Sequence, residues 1–152
     1  MWTDTDYHEL VEDLSDASAR QVAIAMETLL QEPSGDPRVI PLIEQYLDDT
    51  TVTLLWIPLT FGEVRWRAAE ALSAEYAAQN LGRTVILADA VEPMTVDEIG
   101  LLAERHGVAS ATRYAEPHGK IIAAYEALRD SGLIPRFRIE FAHGTSRPWR
   151  RS

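Results

Sequence analysis

The sequence predicts a mainly α-helical domain of about six helices with a minor β component. Three observations carry that prediction. Apolar residues recur at i, i+3, i+4 and i+7 over several stretches, the period of a helix that buries one face. Ser, Thr, Asp or Pro stands at the start of most of these stretches and Gly closes several of them, as helix ends require. Between them, Thr51-Val52-Thr53-Leu54-Leu55-Trp56-Ile57 is β-branched and aromatic, the composition of a strand.

A first helix is predicted over Tyr7–Leu14, with Leu10, Val11 and Leu14 on one side. Asp4 and Asp6 precede it, where negative charge complements the helix N-terminus. Ser15 or Asp16 caps a second helix that reaches Gln31, and Ala19, Val22, Ala23, Met26, Leu29 and Leu30 form its apolar face. Pro33-Ser34-Gly35 is a turn. Asp36-Pro37 then opens a third helix, Asp as N-cap and Pro at the first helical position, with Val39, Ile40, Ile43, Tyr46 and Leu47 as its buried stripe. Pro58 ends the strand. Gly62 and Glu63 open a fourth helix to Asn80, turning Val64, Ala68, Ala69, Leu72 and Tyr76 inward, and Gly82 follows its end. Thr84–Leu87 reads as a second short strand. Thr95-Val96-Asp97-Glu98 is a capping box that starts a helix running to His106. A sixth helix follows Pro117, with Ile121, Ile122, Tyr125 and Leu128 on one face. Arg136–Phe141 alternates polar and apolar residues as a half-buried strand does. No linker divides the chain, so residues 1–142 read as a single helical domain and 143–152 as a flexible C-terminal tail.

Composition narrows the classes of function. Cysteine is absent, which excludes a disulfide scaffold and a cysteine zinc site. Neither a signal-peptide pattern nor an apolar run of about 20 residues is present, so a cytoplasmic protein with no membrane partner is expected. The basic residues are 13 Arg and one Lys, a skew common in GC-rich bacterial coding sequences. The formal net charge is −10 and it is unevenly spread. Residues 1–50 hold 12 acids and two bases, whereas residues 111–152 hold four acids and eight bases. Such acidity argues against a general nucleic-acid binder. Arg136, Arg138, Arg147, Arg150 and Arg151 do interleave with Phe137, Phe141 and Trp149, but charged residues on an edge strand are the simpler account.

The segment from Asp36 to Tyr76 resembles a HEAT-like repeat, the helix-pair unit of α-solenoids. The first helix offers Asp36-Pro37-Arg38-Val39-Ile40-Pro41-Leu42-Ile43 and then Leu47-Asp48-Asp49; the second offers Glu63-Val64-Arg65 and Ala68-Ala69-Glu70-Ala71-Leu72. Ala19-Arg20-Gln21-Val22-Ala23 echoes Val64-Arg65-Trp66-Arg67-Ala68 at a separation of 45 residues, within the HEAT period, so the resemblance extends over about residues 15–77. It implies a helix-pair, α-solenoid-type bundle, a binding surface rather than catalytic residues, and an Asp49–Arg65 pair across repeats; Thr50–Phe61, strand-like in composition, departs from the short turn between HEAT helices and reads as a β insert.

The chemistry-bearing residues are sparse. Asp4, Asp6, His8 and Glu9 cluster, but at no calcium-loop spacing, so no metal is expected. Glu116-Pro117-His118-Gly119-Lys120 gathers a carboxylate, an imidazole and an amine, with no nucleophile in a recognisable setting. No phosphate-binding glycine loop occurs, so no cofactor is expected. Candidate partner-binding residues are Asp4, Asp6, Glu9, Glu12, Asp13 and Asp16 at the acidic end, with Trp56, Arg65 and Trp66 in and after the insert. Trp and Arg are the residues most enriched in binding hot spots. The leading expectation is a non-enzymatic protein-interaction module, in its sharpest form an immunity-type inhibitor of a basic toxin or enzyme. The alternatives are a small enzyme or ligand-binding protein with a site near the Trp-rich insert, and a regulatory subunit that homodimerises through the insert. The acidic third either meets a basic partner or closes on the Arg-rich C-terminal end.

Overall fold

The structure, a computed structural model, describes residues 2–56, 59–108, 117–143 and 150–151. Along these residues run α1 (Asp4–Leu14), α2 (Ala19–Gln31), α3 (Val39–Glu44), β1 (Val52–Trp56), β2 (Thr60–Glu63), α4 (Val64–Ala78), β3 (Arg83–Ala88), β4 (Met94–Thr95), α5 (Val96–Arg105), α6 (Pro117–Asp130), β5 (Arg138–His143) and β6 (Arg150–Arg151). The α-solenoid-type architecture expected from the sequence is not what forms. The chain is mixed α/β, with two three-stranded sheets set among the helices.

The first sheet has the order β1-β2-β4 and is antiparallel throughout. Its middle strand is the main reason for the correction. Thr60-Phe61-Gly62-Glu63, read from the sequence partly as a helix start, is a strand in which all four residues are buried. A glycine suits this place because a Cβ at Gly62 would lie 2.7 Å from both Glu92 Cγ and Leu55 Cδ1. The second sheet has the order β5-β3-β6. β3 pairs antiparallel with β5 from Arg83↔His143 to Ala88↔Arg138, and parallel with β6. Ile57, Pro58 and most of the segment read as a tail (144–149 and 152) lie outside the described residues.

The helices bury part of the predicted stripes; Val11 of α1 is exposed, and Ala19, Leu30, Ile40, Tyr46, Leu47 and Ile122 are only partly buried. Val22, Ala23, Met26 and Leu29 of α2 and Val39 and Ile43 of α3 are buried in one core with Val64, Leu72 and Tyr76 of α4. A second core joins Val52 and Phe61 of the first sheet to α5 and α6 through Ile99, Ile121 and Leu128. Helix α4 is buried on nearly every side, Arg67, Glu70 and Glu75 included. It packs against α2 and α3 and against β3, so it has no broad solvent face.

Capping explains where α1 and α2 begin. Thr3 and Asp6 form a capping box that starts α1 earlier than the apolar spacing indicates. Ser18, not Ser15 or Asp16, caps α2: its hydroxyl accepts from the Gln21 N–H, and the Gln21 side chain accepts from the Ser18 N–H. Ser18→Ala is expected to cost about 1 kcal/mol in urea unfolding, the usual value of an N-cap.

Candidate functional site

An open concavity among the described residues involves the two N-terminal helices. The four residues from Ser15 to Ser18 join α1 to α2, and so short a connection lays consecutive helices side by side as a hairpin. On α1, Asp6, Glu9, Leu10 and Asp13 recur at helical spacing; on α2, Gln21, Ile24, Ala25 and Thr28 do the same, and Glu32 follows the end of the helix. These stripes, with Trp2 and Leu29, line a groove of about 620 Å³. Its apolar lining is Trp2, Leu10, Ile24, Ala25 and Leu29; Ile24 keeps 46% of its surface exposed, whereas Leu10 and Leu29 are buried. Four carboxylates and no basic side chain line it.

The sequence-derived candidates divide on this geometry. Asp6, Glu9 and Asp13 line the groove. Asp6 also caps the Thr3 N–H at 2.8 Å. Asp4 is engaged within the fold. With Asp36 it holds the Arg38 guanidinium, at 3.0 and 2.7 Å, tying the start of α1 to the start of α3. Arg38 also lies 4.3 Å over the Tyr7 ring and holds the Asp36 carboxyl below its ordinary range. Glu12 and Asp16 are exposed but do not line the groove; Asp16 follows α1 with a left-handed backbone, φ 56°. Glu32, Ile24 and Ala25, which complete the groove, belong to a second face of α2. That face is visible in the sequence only as a mixed polar stripe opposite the core.

Neither Trp66 nor Arg65 lines the α1–α2 groove or the smaller pocket beside the insert. Trp66 is 3% exposed and packs in the first core. Arg65 pairs with Glu63 at 2.5 Å and lies 3.7 Å over the Phe137 ring. Its backbone N–H donates to the Asp49 carbonyl at 2.9 Å, while the Asp49 carboxylate accepts from the Thr51 N–H at 3.0 Å. Trp56 lies in β1. His118 stands edge-on to Phe61 at 5.9 Å, and Glu116 is outside the described residues. A smaller pocket of about 320 Å³ beside the insert is lined by Glu27, Leu30, Gln31, Thr60, Arg67 and Pro93.

A buried polar network, unmarked by sequence spacing, surrounds the insert instead. Three arginines from three helices donate to carbonyl oxygens of the 50–55 segment: Arg129 to Thr50 at 2.8 Å, Arg20 to Leu54 at 2.9 Å, and Arg67 to Leu55. Arg67 also pairs with Glu70, and Arg129 with Glu63 at 3.4 Å. Beside them the Tyr125 hydroxyl donates to Glu92, whose side chain is wholly buried. Burial pushes the Glu92 carboxyl above its ordinary range, and the Tyr125 hydrogen bond partly opposes that. These groups are enclosed, so the network acts on the fold: it fastens a short sheet, whose edge carbonyls would otherwise lack partners, to the helices around it.

The N-terminal acids and the C-terminal bases are differently engaged. Arg136 pairs with Asp130 at 2.9 Å, and Arg138 with Asp89 at 2.9 Å and Glu140 at 3.3 Å. Comparison with protein-family models, with curated proteins and with solved structures gives no match. Among the described residues, no helix is long and apolar enough to cross a membrane, and no group of three or more His, Asp or Glu is placed to hold a metal ion.

Proposed function

We propose that this protein is a non-enzymatic interaction module whose N-terminal helical face binds a basic protein. In its sharpest form it is an immunity-type inhibitor of a basic toxin or enzyme. The observation that carries this reading is the α1–α2 groove, in which Asp6, Glu9, Asp13 and Glu32 surround an apolar floor with no basic side chain in the lining. Placing like charges around a low-dielectric floor concentrates their field, steers an oppositely charged partner and disfavours acidic ones. The pairing of Arg136 and Arg138 with Asp130, Asp89 and Glu140 supports the partner alternative over closure of the acidic end on these two bases.

The test uses the full chain and a double charge reversal, Glu9→Lys with Asp13→Lys, at two exposed positions. The candidate partner is the product of the adjacent gene, with binding measured at about 50 and about 500 mM salt. The expected result is binding by the natural chain that weakens steeply with salt and is lost in the variant. Binding that ignores both salt and the charge reversal overturns the acidic-face reading. For the immunity form, co-expression is expected to relieve the toxicity of that partner, and the variant to fail to do so.

A further inference from the structure

We infer that the α1–α2 groove takes a basic amphipathic α-helix of the partner, laid along the hairpin as a third helix. This rests on the acidic-face reading and specifies its ligand.

The shape of the lining is the basis. Both walls are helical stripes: residues 6, 9, 10 and 13 on α1, and 21, 24, 25, 28 and 29 on α2, with Glu32 just past its end. A stripe at i, i+3, i+4 and i+7 is the surface onto which another helix packs its own ridges. From Gln21 to Leu29 the α2 stripe rises about 12 Å, the length of a little over two helical turns. α1 packs on α2, whose inner side is buried by α4, and the groove between α1 and α2 leaves Ile24 exposed, so the pair offers two members of a three-helix packing unit.

Charge then selects the third member. Its apolar residues face Leu10, Ile24 and Ala25, and its flanks face Asp6, Glu9 and Asp13 on one side and Glu32 on the other. Arg or Lys on both edges of an apolar stripe satisfies that arrangement. A second copy of this chain does not: none of its described helices carries a net positive charge, so it supplies no basic helix to this groove.

The test titrates the full-length protein with two synthetic peptides of about 15 residues. One has Leu at i, i+3, i+4 and i+7 flanked by Arg on both edges. The other has the same composition, permuted so that no helical face is apolar. The amphipathic peptide is expected to bind with one-to-one stoichiometry and about tenfold more tightly. Its amide-resonance changes are expected to centre on Leu10, Ile24 and Ala25. Ile24→Ser, at an exposed position, is expected to weaken the amphipathic peptide about fivefold and leave the permuted one unchanged. Equal binding of the two peptides, lost in the Glu9→Lys, Asp13→Lys variant, overturns the helix inference and leaves the acidic-face reading standing. Failure of both peptides to bind, or binding untouched by the charge reversal, overturns both.

Discussion

Glu75→Ala is expected to destabilise the protein by about 3–5 kcal/mol, the cost of leaving buried partners of a removed charge unsatisfied. Glu75 is fully buried on α4. Its carboxylate accepts four hydrogen bonds. One oxygen takes the Ser34 N–H at 2.7 Å; the other takes the Ser34 hydroxyl and the Gly35 N–H at 3.0 Å and the Gln79 amide at 2.9 Å. Three of those donors belong to the turn between α2 and α3, and Gly35 there has the left-handed φ of +69°. The carboxylate is thus the anchor that folds the turn onto α4. Alanine leaves the donors of a buried Ser34 facing apolar surroundings and opens a cavity beside them. Glu75→Gln keeps one acceptor oxygen and is expected to lose less. Urea unfolding measures both, as a fall in midpoint at constant slope. A loss below about 1 kcal/mol for the alanine variant would show that the turn is held by other contacts.

The second large effect is a dependence of stability on pH set by Glu92. Its carboxyl is buried against Gly62, receives the Tyr125 hydroxyl, and accepts the Val91 N–H at 3.1 Å, with Glu63 near enough to disfavour a second negative charge. Desolvation therefore raises its pKa in the folded protein above the ordinary 4.5. The folded state holds this proton to a higher pH than the unfolded chain does. Below 4.5 both states are protonated and the contribution is complete. As pH rises from there through the folded-state value the contribution is lost, by up to about 1.4 kcal/mol per unit, and above that value it is constant. Glu92→Gln keeps an oxygen for Tyr125 and cannot ionise. It is expected to flatten this part of the profile and to be the more stable protein at neutral pH. Unfolding midpoints across the acid range compare the two directly, and parallel profiles would mean that Glu92 titrates alike in the folded and unfolded chains.

Neither effect is announced by local spacing. Glu75 and Glu92 look in the sequence like ordinary surface acids, one on a helix and one before a proline. The same holds for Arg20, Arg67 and Arg129, whose abundance reads as compositional bias but whose guanidiniums hold the carbonyls of Thr50, Leu54 and Leu55. β2 is hidden for a related reason. Thr60–Glu63 adjoins a helix in the chain, and only its position between β1 and β4, with Glu92 and Leu55 closing over Gly62, makes it a strand.

Residue order alone is enough for the local features: the helices with a clear 3.6-residue stripe, the capping box at Thr95, the strand after Thr51, and an acidic N-terminal third. Each of these depends on contacts within a few turns of chain, which spacing records. The assembled fold is needed for the rest: the pairing of β3 with β5 across some fifty residues, the burial of α4 on all sides, the internal use of Asp4 and Trp66, and the contribution of Glu32 and Ile24 to the groove. Those outcomes depend on which faces meet. A charged side chain is a surface group or a buried anchor according to whether its partner arrives from elsewhere in the chain, and hydrogen-bonding partners brought together over long separations leave no period in the sequence.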